Sequence, residues 1–181
     1  VAIEVVPYSP EWPRWFAHVA RDLEPALRGV PGAAVEHVGS TSVPGLAAKP
    51  VIDVDVVVAR RQVPAAVAAL EGAGYAHRGD LGVTDREAFH APDDQPRRNI
   101  YVCVAGTLHL RNHLAVREVL RARADLREEY AAVKLALAAD PDMDIDTYLA
   151  GKSTVLQRVL AVADLTAEER LQIRRLNDQT A

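Results

Sequence analysis

A single cysteine, Cys103, stands in the 181 residues, so no disulfide framework can staple the chain internally. Cys103 sits in the apolar run "IYVCVA", which reads as a buried, inert thiol rather than a reactive one. Basic excess is also missing: 21 Lys and Arg face 25 Asp and Glu, a formal net charge of −4. Without a positive field, non-specific nucleic-acid binding has no electrostatic drive, and nucleic acid is not an expected partner. No stretch approaches the ~20 consecutive apolar residues of a membrane span, and no charged-then-apolar leader opens the sequence. A cytoplasmic protein without membrane association is expected. Internal repeats and low-complexity linkers are absent as well. What remains is ordinary globular composition, 49% apolar and 25% charged, at a length suited to one substantial domain.

Hydrophobic periodicity divides the chain in two. In "PEWPRWFAHVARDLEPAL" apolar residues recur at helical spacing from Trp12 through Phe16, Val19 and Leu23 to Leu27, with Ser9 as the expected N-cap. "AAVEHV" reads as a strand, Ser40 to Leu46 as a loop or short helix, and Pro50 to Val58 as a buried strand. "PAAVAALEGAG" is a helix stopped by glycine; "YAHRG", "REAFHA" and "RNIYVCVA" read as strands, with a "PDDQP" turn before the last. From Leu108 onward the pattern is helical almost throughout, with apolar positions every three to four residues among alternating charges. An α+β fold follows: a single domain over 1–181, with a mixed core over 1–107 and a helical portion over 108–181.

Three patterns imitate known sites and fail on their own terms. Gly151-Lys152-Ser153-Thr154 ends like a phosphate-binding P-loop, but the position five before Gly151 is Asp146 rather than glycine, and the context is helical rather than strand-turn-helix. Asp140, Asp142, Asp144 and Asp146 start like a calcium loop, yet Ile145 and Gly151 occupy its glycine and glutamate positions; helix-capping acids are expected instead. His109 and His113 share a helix spacing without the further ligands that zinc needs.

Asp53 and Asp55 are harder to dismiss. Residues two apart in a strand project to one side, roughly 6.5–7 Å apart at Cα, while Ile52, Val54, Val56 and Val58 line the other. Carboxylate oxygens about 5 Å apart repel by about 3 kcal/mol at an effective dielectric of 20. Either a cation joins them or the strand emerges into water at this face, and spacing alone leaves both open. Upstream, Gly39-Ser40 follows a strand and offers backbone N–H and hydroxyl donors suited to phosphate oxygens. A phosphate-holding turn followed by a metal-holding strand is what metal-assisted attack on a nucleotide phosphate requires.

That combination resembles the nucleotidyltransferase superfamily, and "EHVGSTSVPGLAAKPVIDVDVVV" resembles the signature of its GrpB branch, known also as a C-terminal domain fused to some dephospho-CoA kinases. "DREAFHA", "NHLAVREVLRARADLREEYAAVK" and "YLAGKS" extend the likeness to about residues 9–162. The resemblance implies a nucleotidyltransferase-like mixed β-sheet flanked by helices, with a helical C-terminal portion. It implies magnesium, with manganese as a substitute, on Asp53 and Asp55, which are then also the catalytic pair. It implies nucleotide phosphate near Gly39, Ser40 and Thr41, with His37, Lys49, Arg86, Arg117, Lys134 and Lys152 around it; for Lys134 a surface salt bridge is the competing reading. The expected activity is transfer of a nucleotidyl group from an NTP to a small-molecule hydroxyl. The strand "RNIYVCV", where active relatives carry a third carboxylate, has no Asp or Glu; Glu87 and Glu118 are the candidates to replace it. The alternative is a non-catalytic module that binds a nucleotide or a CoA-related ligand. Oligomeric state leaves no mark in the sequence.

Overall fold

The computed structural model describes residues 4–179, and side chains up to residue 175. It is α+β, with one five-stranded mixed sheet and six α-helices. The helices are α1 (Trp12–Leu27), α2 (Val63–Gly72), α3 (Leu108–Ala122), α4 (Ala124–Ala138), α5 (Ile145–Ala161) and α6 (Ala167–Gln179). The strands are β1 (Ala34–Val38), β2 (Ile52–Val58), β3 (Ala76–His77), β4 (Arg86–His90) and β5 (Arg98–Val104). The chain folds as two compact units.

The sheet unit comprises Pro10–Val38 and Val51–Arg111. Its strand order is β1-β2-β5-β4-β3, with β2 and β5 parallel and every other pair antiparallel. The parallel pair needs a long crossover, here through α2, β3 and β4. β2 and β5 are central, and the helix-facing residues Ile52, Val54, Val56, Ile100 and Val102 are fully buried. α1 packs on β2 and α2 on β5, contributing buried Trp12, Val19, Leu23 and Leu27 from α1 and Ala66 and Leu70 from α2. α1 starts later than its polar preamble suggests: Glu11, not Ser9, is its N-cap. Pro13 falls in the first turn, where its missing N–H costs nothing and its fixed φ favours the helix.

The helical unit comprises Val1–Ser9, Gly39–Pro50 and Asn112–Ala181. Thus the Gly39–Pro50 excursion between β1 and β2 belongs with the C-terminal helices, and α3 begins in one unit and continues into the other. The core of this unit is Val43, Leu46, Leu120, Leu126, Tyr130, Val155 and Val159. Gly151 owes its place to packing: a Cβ there would stand 2.8 Å from both Cδ atoms of Leu137. The P-loop imitation is therefore a glycine inside α5 at a close helix approach. Asp144 caps α5, its side chain accepting from Thr147 N and Thr147 Oγ1, both at 2.8 Å, as expected of an acid between two helices.

Candidate functional site

β2 carries the two aspartates in the predicted register. Directly paired residues project to one face, so Asp53 shares its face with Asn99 on β5 and Val38 on β1, and Asp55 shares it with Tyr101 and Glu36. Asp53 is half-buried and accepts a hydrogen bond from Asn99 Nδ2 at 2.8 Å. Asp55 is 0% exposed. The reading in which this face simply opens to water therefore fails at Asp55. Cys103 lies on the same face, its thiol pushed well up by burial and then by the Asp55 charge, to which it donates. It is the inert thiol expected. Burial, and next the Asp53 charge, raise the Tyr101 hydroxyl above its ordinary range. The Arg86 guanidinium lies 4.8 Å from the Tyr101 ring centroid and donates to Asp80 O at 3.3 Å, which puts one cation on the aspartate face.

His37 is a correction. Alternation along β1 places it opposite Val54, on the helix-covered face. There it stacks on Phe16 with ring centroids 4.6 Å apart and an 8° interplanar angle. It faces away from the aspartates. Glu87, one proposed replacement for the third carboxylate, does not share the aspartate face. Glu87 pairs with Val102 and so faces the helix-covered side, where it meets His77 Nε2 at 2.7 Å. Glu118 is exposed and takes Arg117 Nε at 2.7 Å and Arg121 Nη1 at 3.4 Å. Register puts Glu36 directly across from Asp55, a relation invisible without the strand pairing. Even so, no group of three or more His, Cys, Asp or Glu able to hold a metal forms among the described residues.

Within the helical unit the chain turns sharply at Gly39, whose φ of 70° is left-handed and favours glycine. Gly39 O accepts from Ser42 N at 3.2 Å and Ser42 Oγ at 2.6 Å, closing a single 3₁₀ turn over Ser40–Ser42. Ser40 is half-buried and Thr41 buried. Arg121, which sequence reasoning passed over, clamps this turn: its Nε and Nη2 donate to Ser42 O at 3.1 and 2.8 Å.

All three lysines of the chain lie in the same unit. Lys49 Nζ lies 4.8 Å and Lys152 Nζ 4.6 Å from the Tyr148 ring centroid. Lys134 Nζ lies 4.5 Å from the Tyr130 ring. Lys134 is not the surface salt-bridge partner of the competing reading: it is 2% exposed. Its Nζ meets no hydrogen-bond acceptor among the described residues. Burial, and then the Lys152 charge, bring it down to about 7 from 10.5. Burial also pushes Tyr148 up to about 12, so the ring presents its neutral π face to the two ammonium groups.

The model of the family described as "GrpB protein" matches residues 2–162. The chain belongs to the GrpB family. A UPF0157 protein of Pseudomonas aeruginosa is 38% identical over 164 residues, 89% of this GrpB chain and 67% of the relative. A dephospho-CoA kinase of Mycolicibacterium paratuberculosis is 30% identical over 178 residues, 83% of this chain but 43% of the kinase. Among solved structures, the conserved protein GrpB from Enterococcus faecalis superimposes with a TM-score of 0.74 at 32% identity, over 87% of this chain and 98% of that one. Cid1 poly(U) polymerase, in a structure described as bound to MgATP, superimposes with a TM-score of 0.52 at 12% identity, over 91% of this chain and 54% of the polymerase. The fold is nucleotidyltransferase-like, as the motif order implies. No helix among the described residues is long and apolar enough to cross a membrane.

Proposed function

We propose that this GrpB chain is a magnesium-dependent nucleotidyltransferase that moves a nucleotidyl group from an NTP to the hydroxyl of a small-molecule acceptor, with release of pyrophosphate. The observation that carries the reading is the aspartate pair on one face of the central strand β2, with Asp55 fully buried, in a fold shared with a polymerase described as bound to MgATP. Two carboxylates are hard oxygen donors of the kind magnesium takes when substrate phosphate and water complete its shell, so the residues present fit that ion. Magnesium, or manganese in its place, would supply neutralisation of charge on the reacting phosphate.

The chain's own groups do the rest. Asn99 fixes one carboxylate oxygen of Asp53 at 2.8 Å, and burial fixes Asp55, so neither needs to reorganise on binding. The Gly39-Ser40-Thr41 turn offers backbone and hydroxyl donors for phosphate oxygens, and Arg121 braces it through Ser42 O. Arg86 is the cation on the aspartate face, and the family resemblance makes Lys49, Lys134 and Lys152 the proposed phosphate contacts of the helical unit. Arg117 is committed to Glu118 at 2.7 Å and contributes less. A cytoplasmic setting agrees with this chemistry.

A second reading, a module that binds a nucleotide or CoA-related ligand without turnover, draws support from Asn99 and Tyr101, rather than an acid, standing opposite Asp53 and Asp55 on β5 and from the likeness to part of a dephospho-CoA kinase. Pyrophosphate release from each NTP, measured over a panel of hydroxyl acceptors with and without magnesium, separates the two. Turnover in wild type and none in Asp53→Asn supports transfer. Absence of turnover with every pair, in a protein that still binds the nucleotide, supports the binding module.

A further inference from the structure

The sheet has two edges, and the fold treats them differently. β3 is only two residues long, and shortness is one way a sheet edge escapes unwanted pairing. β1 is five residues long and holds neither proline nor lysine, and among the described residues no strand pairs with its outer side. His37 and Val38 are buried at its C-terminal end, whereas Ala34 is exposed and Val35 half-buried. Beside that exposed end runs an open groove of about 570 Å³, floored by Phe16, Ala17 and Ala20 of α1 with Ala33 and Val35. Arg21, Glu24 and Arg28 lie along it on α1, all three exposed. Other charges of α1 pair within the helix, Arg14 with Glu11 at 2.8 Å and His18 with Asp22 at 3.3 Å. Among the described residues no ion pair holds Arg21, Glu24 or Arg28, although spacings of three and four would allow it.

We propose that the exposed end of β1 and the outer side of α1 form a self-complementary face on which a second copy of this chain docks about a two-fold axis. β1 pairs antiparallel with the partner's β1, Val35 opposite the partner's Val35, and two five-stranded sheets become one of ten strands. No like charges meet on that seam, since Glu36 falls opposite the partner's Ala34. The two α1 helices run antiparallel across it, with Arg21 opposite the partner's Glu24 and Ala17 opposite the partner's Arg28. The symmetry makes each of these pairs twice.

Strand and helix registers agree with each other. Helices seated on a sheet lie about 10 Å apart, roughly two strand spacings. α1 and α2 pack on each other from the adjacent strands β2 and β5, which displaces α1 toward β1. A two-fold axis at the β1 edge then sets the paired α1 helices about 10 Å apart as well, an ordinary packing distance. Along the elements, the stacking of Phe16 on His37 fixes their relative level. From that level the axis lies about 7 Å back along β1, at Val35, and about 10 Å on along α1, between Asp22 and Leu23. Both displacements run the same way, because the chain reverses between the two elements. The two levels differ by about one strand residue. α1 covers the face opposite Asp53 and Asp55, so the dimer stands independently of the nucleotidyl-transfer reading.

The test is sedimentation velocity of the full chain from low micromolar concentration up to about 200 µM, a range that reads a micromolar Kd. The expected result is a species of twice 19.6 kDa at the upper end, with slower amide exchange at Ala34 and Val35 there than in dilute protein. Arg21→Glu and Glu24→Arg each set like charges opposite one another twice, and each is expected to weaken association by about tenfold or more. The double variant Arg21→Glu/Glu24→Arg restores opposite charges and is expected to recover most of the loss. Ala17→Arg, at an exposed position facing the partner's Arg28, is expected to weaken association too. Circular dichroism confirms that each of these surface variants folds. Asp53→Asn is expected to dimerise as wild type does, so a failure of the metal site and a failure of this face are told apart. A monomer at every concentration overturns the proposal, whether or not a strand of another protein takes that edge. So does a dimer indifferent to both single charge variants, or a double variant that gains nothing over them.

Discussion

Asn99 donates its side-chain amide to Asp53 across the parallel β2–β5 pair, at 2.8 Å and at the register position directly opposite. Superfamily relatives are expected to carry an acid on this strand; here an amide stands level with the first aspartate and holds it. Asn99 thereby acts as a donor that positions Asp53. Asn99→Asp would place like charges directly opposite, which costs up to about 1 kcal/mol in a sheet in addition to the lost hydrogen bond. The variant is expected to unfold a few degrees below wild type and to recover most of that loss in millimolar magnesium, read by thermal unfolding with and without EDTA.

Lys134 makes stability depend on pH in a direction opposite to that of a paired lysine. Its folded value, about 7, lies below the ordinary 10.5, so between those limits the unfolded chain binds a proton that the folded chain has released. Stability therefore rises with pH across this window, by at most about 1.4 kcal/mol per pH unit, and the gain is absent below pH 7. Urea unfolding at pH 7, 8 and 9 is expected to show the rise. Lys134→Met is expected to flatten it and to be more stable than wild type at pH 7.

Gly151 separates a packing glycine from a phosphate-binding one. In Gly151→Ala the new Cβ displaces the Leu137 methyls from 2.8 Å, while the helix gains about 1 kcal/mol of propensity. The two effects nearly cancel, and a melting temperature within a few degrees of wild type is expected. Gly151→Phe cannot be absorbed and is expected to cost about 1–3 kcal/mol. Nucleotide binding by the alanine variant is expected to be unchanged, which a fluorescent NTP analogue would read.

Cys103 is expected to resist a thiol reagent at pH 8 in the folded protein and to react within minutes in denaturant. Burial and Asp55 both disfavour its thiolate. Rapid labelling of the folded chain would contradict the packing around Asp55.

Much of the sheet was legible from residue pattern. Period-two alternation located β1, β2, β4 and β5 within about two residues, because each packs one face against helices and its sequence must say which. The Asp53–Asp55 pair was legible for the same reason. Which face each neighbour takes was not, since His37 follows Glu36 by one residue and the strand pairing alone decides that Glu36, not His37, shares the aspartate side. The surface salt-bridge reading of Lys134 fails because a lysine on an amphipathic helix is ordinarily a solvated charge and this one is buried. Its spacing held the signal: Leu126, Tyr130 and Lys134 follow one another at intervals of four, and all three are buried on α4. The Arg121 clamp on Ser42 O spans 79 residues, and no local pattern encodes it.

The central claim is that Asp53 and Asp55 hold a metal-bound nucleotide, and thermal unfolding of wild type and Asp53→Asn with each NTP, with and without magnesium, tests it most directly. A nucleotide at a hundredfold excess over its Kd stabilises the folded state by about 2.7 kcal/mol. The account predicts that at least one NTP gives such a shift in wild type with magnesium, a much smaller shift without it, and little metal-dependent gain in Asp53→Asn. Equal shifts in both proteins irrespective of metal, or no shift with any NTP at millimolar concentration, would contradict it.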